Sequence, residues 1–128
     1  MPQYMLLIYN SAESRPAPEQ LAEDHPKWGA YTEKLKDDGV YVNGDALQGV
    51  EVATTVRAKG GEIQLIDGPF AETKEYLGGY YVIETPNLDK ALEYAAQMPN
   101  LYYGCVEVRP VWDTTQMIEA FQQAEAQA

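Results

Sequence analysis

Two amphipathic helical stretches set among short strand-like runs predict an α+β fold, a ferredoxin-like split β-α-β subunit with an extra C-terminal helix. Three observations carry that prediction. Apolar residues switch twice from strand alternation to helical spacing, so the order reads strand, helix, strands, hairpin, strand, helix, strand. Both helices then lie on one sheet face, and the other face needs cover. A chain of 128 residues has no third layer to give it, so a homodimer pairing two sheets face to face is expected.

The elements follow in order. Met5 to Tyr9 is a short apolar run, expected as a strand buried on both faces. Asn10 to Pro18 is polar with two prolines and reads as a loop bordering a site. Leu21, Trp28, Tyr31 and Leu35 mark one helix face, with Asp24 as the expected cap of its main body, Pro26 in the first turn and Gly39 as the stop. Val40 to Gly44 is a strand. Val50 to Arg57 alternates, with Val50, Val52, Thr54 and Val56 on one face. Lys59-Gly60-Gly61 turns the chain into a return strand, Ile63 to Ile66. Gly78-Gly79 leads into a strand from Tyr80 to Thr85. Asn87 caps a second helix with Leu88, Ala91, Leu92 and Ala95 inward, ended at Met98-Pro99. Gly104 to Val111 is the last strand of a domain covering residues 1–112. In the tail, residues 113–128, Asp113 and Gln116 have capping-box spacing. Met117, Ile118, Phe121 and Ala124 form a stripe expected to pack on the domain or its dimer mate.

Composition narrows the function classes. Nine basic against twenty acidic residues give a formal charge of −11, which repels nucleic acid and anionic membranes. The lone Cys105 excludes an intrachain disulfide and a cysteine-rich zinc site, and its strand-like setting predicts a buried, inert thiol. No run is long and apolar enough to span a bilayer, and no signal peptide is legible, so a cytoplasmic location is expected. His25 with Glu23 and Asp24 lacks the separated spacing that converges ligands on a metal, and no Gly-rich phosphate loop exists, so neither metal nor cofactor is expected.

The densest cluster of chemistry is Asp67-Gly68-Pro69-Phe70-Ala71-Glu72-Thr73-Lys74-Glu75. Asp67 is either a general base at a strand end, its pKa raised by desolvation, or the anchor of its own Asx-turn. Lys74 and Glu72 either contact a substrate or form surface ion pairs. Phe70 is expected to anchor the loop in the core. Arg57 and Arg109 either bind a substrate carboxylate or pair with carboxylates of the protein, as Arg109 can with Glu107. Ten tyrosines against two phenylalanines suit a half-wet cleft, where Tyr9, the other tyrosines and Trp28 would be the walls.

The run at 67–75 resembles the signature of the DGPF branch of the YciI-like (YCII-related) family. Tyr4-Met5-Leu6-Leu7-Ile8-Tyr9, Leu77-Gly78-Gly79-Tyr80-Tyr81, and Gly104 with Val106-Glu107-Val108-Arg109-Pro110 are similar to flanking strands of that family, so the resemblance spans roughly residues 3–112. It implies a ferredoxin-like subunit, a dimeric α/β barrel, and a cleft between helix, sheet and dimer mate. It also implies a histidine near the start of the first helix paired with an aspartate. Counted back from Gly39, that histidine position falls on Trp28, and His25 lies three residues earlier. Links of this branch to extracytoplasmic-function sigma factors imply a regulatory setting.

Three functions stand beside one another at this level. The first is a cofactor-independent enzyme acting on a small aromatic or carboxylate-bearing molecule, with Asp67 moving the proton, Lys74 or Arg57 steadying charge, and Trp28, Glu72 and Tyr9 at the substrate. The second is a small-molecule-binding or sensing module without catalysis. The third is an interaction protein working through the C-terminal stripe.

Overall fold

The computed structural model describes residues 1–127. Its strands are β1 (Gln3–Ser11), β2 (Tyr41–Ala46), β3 (Thr54–Lys59), β4 (Glu62–Asp67), β5 (Glu75–Glu84) and β6 (Gly104–Pro110). Its helices are α1 (Pro18–Asp37), α2 (Leu88–Ala95) and α3 (Thr114–Ala126). Four strands form an antiparallel sheet in the order β2-β5-β1-β6, and β3 and β4 pair separately as a hairpin. Helix α1 carries the chain from β1 to β2 with β5 between them. Helix α2 carries it from β5 to β6 with β1 between them. That is a split β-α-β arrangement within an α+β fold.

Both helices lie on one face of the sheet. Tyr4, Leu6 and Ile8 of β1 and Ile83 of β5 pack there with Tyr31 and Leu35 of α1 and with Ala91, Tyr94, Ala95 and Met98. The Tyr31 hydroxyl, deep between the helices, donates to the Tyr94 carbonyl at 2.8 Å. Burial, then the neighbouring Tyr81 and Tyr94, hold the Tyr31 hydroxyl far above the usual phenol range, so it remains a donor. β1 is buried on this face alone. Met5, Leu7 and Tyr9 point the other way and stay half-buried, which corrects the expectation of two covered faces.

Local chemistry explains the element ends. Helix α1 begins at Pro18, where a missing N–H costs nothing. Asp24 is therefore an interior residue, not a cap. Gly39, at φ +72°, closes the helix, with the Gly39 N–H on the Lys36 carbonyl and the Val40 N–H on the Leu35 carbonyl. Asn87 does cap α2, accepting from the Lys90 N–H at 2.9 Å. The inner face of α2 is Ala91, Tyr94 and Ala95, whereas Leu88 and Leu92 are exposed. The α2 axis is rotated so that the small alanines meet the sheet and Tyr94 reaches α1.

Four other expectations are corrected. Val50–Val52 is a 3-10 turn, so the alternation becomes a strand only from Thr54. Phe70 is 78% exposed, not an anchor in the core. Cys105 is exposed, on a strand edge position that faces away from the helices. Asp113 does accept from the Gln116 N–H, yet Met117, Ile118 and Phe121 of α3 remain exposed, so the stripe does not pack on its own domain. No helix among the described residues is long and apolar enough to cross a membrane.

Candidate functional site: a cleft between the first helix and the sheet

The cleft exists because the sheet is short of side chains beneath α1. Directly paired residues share a face, so Gly44, Ala46 and Gly79 continue the helix-facing row of Tyr81 and Ile83. Large residues fill the space lower in the sheet, and these small ones leave it open. The result is a cavity of about 380 Å³, within the size range of small-ligand sites.

Its glycines are fixed by close approach. A Cβ at Gly79 would lie 2.7 Å from the Asp45 carbonyl oxygen, and one at Gly78 would lie 2.6 Å from the Asn10 Nδ2. Gly78 is also the extra residue of a β-bulge, since Ile8 pairs with Gly79 and Tyr9 with Leu77.

α1 supplies the roof with His25, Trp28 and Thr32, three residues whose spacing puts them on one helix face. Tyr41, Tyr81 and Tyr103 complete aromatic walls. The Thr32 and Tyr81 hydroxyls share a hydrogen bond of 2.6 Å, and Thr32 also donates to the Trp28 carbonyl. Burial raises the Tyr81 hydroxyl pKa; the Thr32 bond opposes this and Tyr41 adds to it. Tyr81 is thus neutral, a donor or acceptor but not a base. At the rim the Tyr80 hydroxyl donates to Asp45 at 3.1 Å, and that bond and its charge raise the Tyr80 pKa.

Two buried polar residues hold the cleft in shape. The two N–H groups of Asn100 Nδ2 are shared among three acceptors, the Tyr9 carbonyl, the Asn10 Oδ1 and the Cys105 carbonyl, each at 3.2 Å, which aims the Asn10 amide nitrogen toward Gly78. Asp24, one residue before His25, is 1% exposed in the middle of α1. It accepts from the Tyr102 hydroxyl, from Gln20 at 3.2 Å and from Lys27 at 3.4 Å. The Tyr102 bond holds the Asp24 pKa below the usual carboxylate value, with Gln20 and Lys27 adding to it against the opposing effect of burial. This seam fastens α1 to the approach to β6, and so places His25 and Trp28 against Tyr103.

The residues singled out from sequence divide among three places. Trp28 lines the cleft, and His25 does reach it. Tyr9 and Glu72 line a second, open cavity of about 1530 Å³ on the sheet face away from the helices, together with Pro69, Phe70, Leu77 and Cys105. There the Cys105 thiol donates to Glu75 at 3.5 Å. Burial, then that carboxylate, pushes the thiol pKa up, so Cys105 stays protonated. Asp67 and Arg57 lie on the exposed hairpin, and Lys74 on the loop before β5; none of the three lines either cavity. Arg109 pairs with Glu107 at 3.7 Å.

Sequence reasoning missed Asn10, Thr32 and the glycine floor. Asn10 opens a polar stretch with two prolines, whose composition reads as a loop, but it lies in β1. Thr32 sits four residues after Trp28, a spacing that marks the same helix face. The glycine floor emerges only once β2 and β5 are paired.

A family profile described as the YCII-related domain matches residues 2–115. An uncharacterised protein of Rhizobium meliloti (strain 1021) is 36% identical over 115 residues, covering 84% of this chain and 90% of that one. A solved structure of 5-chloro-2-hydroxyhydroquinone dehydrochlorinase from Burkholderia phenoliruptrix AC1100, in complex with 2,5-dihydroxybenzoquinone, is similar with a TM-score of 0.45 at 19% identity, covering 85% of this chain and 93% of that chain.

Proposed function

This chain belongs to the YCII-related family, and from that premise we propose that the α1–sheet cleft binds a small planar molecule and moves a proton on it without a cofactor. The observation that carries the reading is the convergence of aromatic walls, Trp28, Tyr41, Tyr81 and Tyr103, with a few polar groups, His25, Asn10 and the Thr32–Tyr81 pair, over a glycine floor. Aromatic walls take a flat ring, and the donors take an oxygen on its edge, as in a phenol, an enol or a carboxylate. His25 is the one imidazole there, a side chain that can both donate and accept a proton. Tyr81, kept neutral by burial, donates to an oxygen that gains charge. A cytoplasmic DGPF-branch subunit with a ferredoxin-like fold is the setting we assign to this chemistry.

Asp67 keeps its proposed role as a base only if the hairpin that carries it comes to a ligand. Turnover lost in Asp67→Asn and kept in His25→Gln puts proton transfer on the hairpin. The converse puts it in the cleft.

A sensing module without turnover uses the same cleft. One observation favours it: among the described residues no hydrogen bond orients the His25 ring, whereas catalytic imidazoles are held by a partner. A ligand that binds saturably and is released unchanged in the presence of intact His25 selects this second reading.

The test is chemical-shift mapping with a panel of small hydroxylated and carboxylated aromatic compounds. Shifts are expected at the amides of Gly44, Gly78 and Gly79. A panel that moves none of them, or that moves only Gly49 beside the other cavity, removes the cleft as the site.

A further inference from the structure

One polar group of the cleft has its direction fixed from behind. Asn100 is fully buried, and two of the three acceptors around its Nδ2 are main-chain carbonyls, those of Tyr9 and Cys105, each at 3.2 Å. A carbonyl only accepts, so the nitrogen of Asn100 must face them. A flipped amide would set its oxygen against two others, and the orientation holds although Asn100 Oδ1 is left buried without a partner. The third neighbour, also at 3.2 Å, is the Asn10 side chain. It too must present an oxygen, since a nitrogen there would set donor against donor. Asn10 Nδ2 is therefore turned to the floor, 2.6 Å from where a Cβ on Gly78 would lie. Asn10 and Gly78 both line the cleft. Among the described residues Nδ2 has no partner, and it is not buried, so its N–H groups are open to a ligand.

The neighbouring polar groups adapt. Thr32 places its proton on the Trp28 carbonyl at 3.1 Å, so in the 2.6 Å bond between Thr32 and Tyr81 the donor is Tyr81. A hydroxyl rotates and an imidazole offers either nitrogen, so Tyr81 and His25 can meet a donor or an acceptor on a ligand. The pinned Asn10 amide can only donate. Charge narrows the choice further. No lysine or arginine lines the cleft, and the chain carries −11. A carboxylate moved out of water there would meet no fixed cation.

We propose that the Asn100–Asn10 pair sets the ligand class of the cleft: an uncharged ring whose edge carries a hydrogen-bond acceptor, a carbonyl oxygen or a ring nitrogen, received by Asn10 Nδ2. Resting on the cleft as the binding site, this selects the neutral edge groups and disfavours the carboxylate. Asn10 touches the ligand. Asn100 is a positioning residue that acts through Asn10. Gly78 belongs to the same device, because a methyl group there would take the place of the amide nitrogen.

The test is titration of the full chain with three probes of similar size, acetophenone, benzoate and benzylamine, followed at the Gly78 amide and the Asn10 side-chain amide. Acetophenone is expected to bind about tenfold tighter than either charged probe, the difference between a hydrogen bond made and one left unmade. Asn10→Asp keeps the oxygen that Asn100 holds and turns the open donor into an acceptor. It is expected to weaken acetophenone about tenfold and to bind benzylamine more tightly than the wild type does. Asn10→Ala is expected to lose acetophenone to the same extent and to gain nothing for benzylamine, a contrast that a merely structural role for Asn10 does not produce. Asn100→Ala frees the Asn10 amide to turn and is expected to level the three affinities; if that variant does not fold, the two Asn10 variants decide. Equal binding of acetophenone and benzoate by the wild type, or an order of probes that Asn10→Asp leaves unchanged, would overturn the selection while keeping the cleft as the site. No shift at Gly44, Gly78 and Gly79 with any probe would overturn both.

Discussion

The two sheets of this molecule are written in the same code and end in opposite environments. In β1 the alternating set Tyr4, Leu6 and Ile8 is no more than 6% exposed. In the hairpin the alternating set Val56, Leu65 and Ile63 is at least 64% exposed. Alternation says that a strand has an apolar face and which residues form it. It says nothing about what lies opposite. For β1 the cover is two helices that both follow it in the chain. For the hairpin, none of the described residues supplies it.

The sharpest way to break that comparison is to truncate matched residues. Leu6→Ala in the fully buried row is expected to cost about 2–5 kcal/mol, as transfer and cavity terms add. Leu65→Ala, at a position 72% exposed, is expected to cost under about 0.5 kcal/mol. Urea denaturation reads both. If the two costs are equal, the hairpin is packed in the isolated subunit and the contrast fails.

A smaller effect separates the two capped helices. Asn87 and Asp113 make the same bond, each accepting from the N–H three residues on. Asn87→Ala is expected to lower global stability by about 1 kcal/mol, because α2 packs on the sheet through Ala91 and Ala95. Asp113→Ala is expected to fray α3 alone, seen as lost helical signal with an unchanged midpoint. A shift in midpoint for Asp113→Ala would show that α3 is part of the cooperative unit.

The smallest effect is a slope with pH. The Asp24 carboxylate is held below its ordinary value chiefly by Tyr102, so its contribution to stability is complete above that ordinary value and is lost as pH falls through the lower, folded one. Tyr102→Phe is therefore expected to destabilise the chain at neutral pH and to converge with the wild type in acid. Thermal melts between about pH 2 and pH 7 check it. A difference that persists unchanged into acid would mean that the hydroxyl, not the charge it steadies, is what matters. Trp28 fluorescence in a Trp112→Phe background reports whether the α1 face of the cleft moves when the seam is cut.

Much of the fold was legible because its signals are local. Gly39 ends α1, Asn87 caps α2, Gly60-Gly61 turns the hairpin, and the 3.6-residue stripe of Trp28, Tyr31 and Leu35 names the inner face of α1. The errors came where neighbours decide. Leu88 and Leu92 look more apolar than Ala91 and Ala95, yet the alanines face the sheet, because close packing of helix on strand favours small side chains there. Phe70 and Cys105 look like core residues and lie on the surface of a single subunit.

The sequence by itself determined most of the elements, the acidic surface, the family and the presence of Trp28 on the inner face of α1. Those depend on spacing and on residue type, which the chain states directly. Only the tertiary structure decided that His25 reaches a cleft, that Gly44 and Gly79 make its floor, that Asp24 is buried instead of capping, and that Asp67 stands apart on an exposed hairpin. Each of these depends on which strands become neighbours, and β2 and β5 meet across more than thirty residues of intervening chain. Contacts of that range are set by the sum of the packing, and no local pattern carries them.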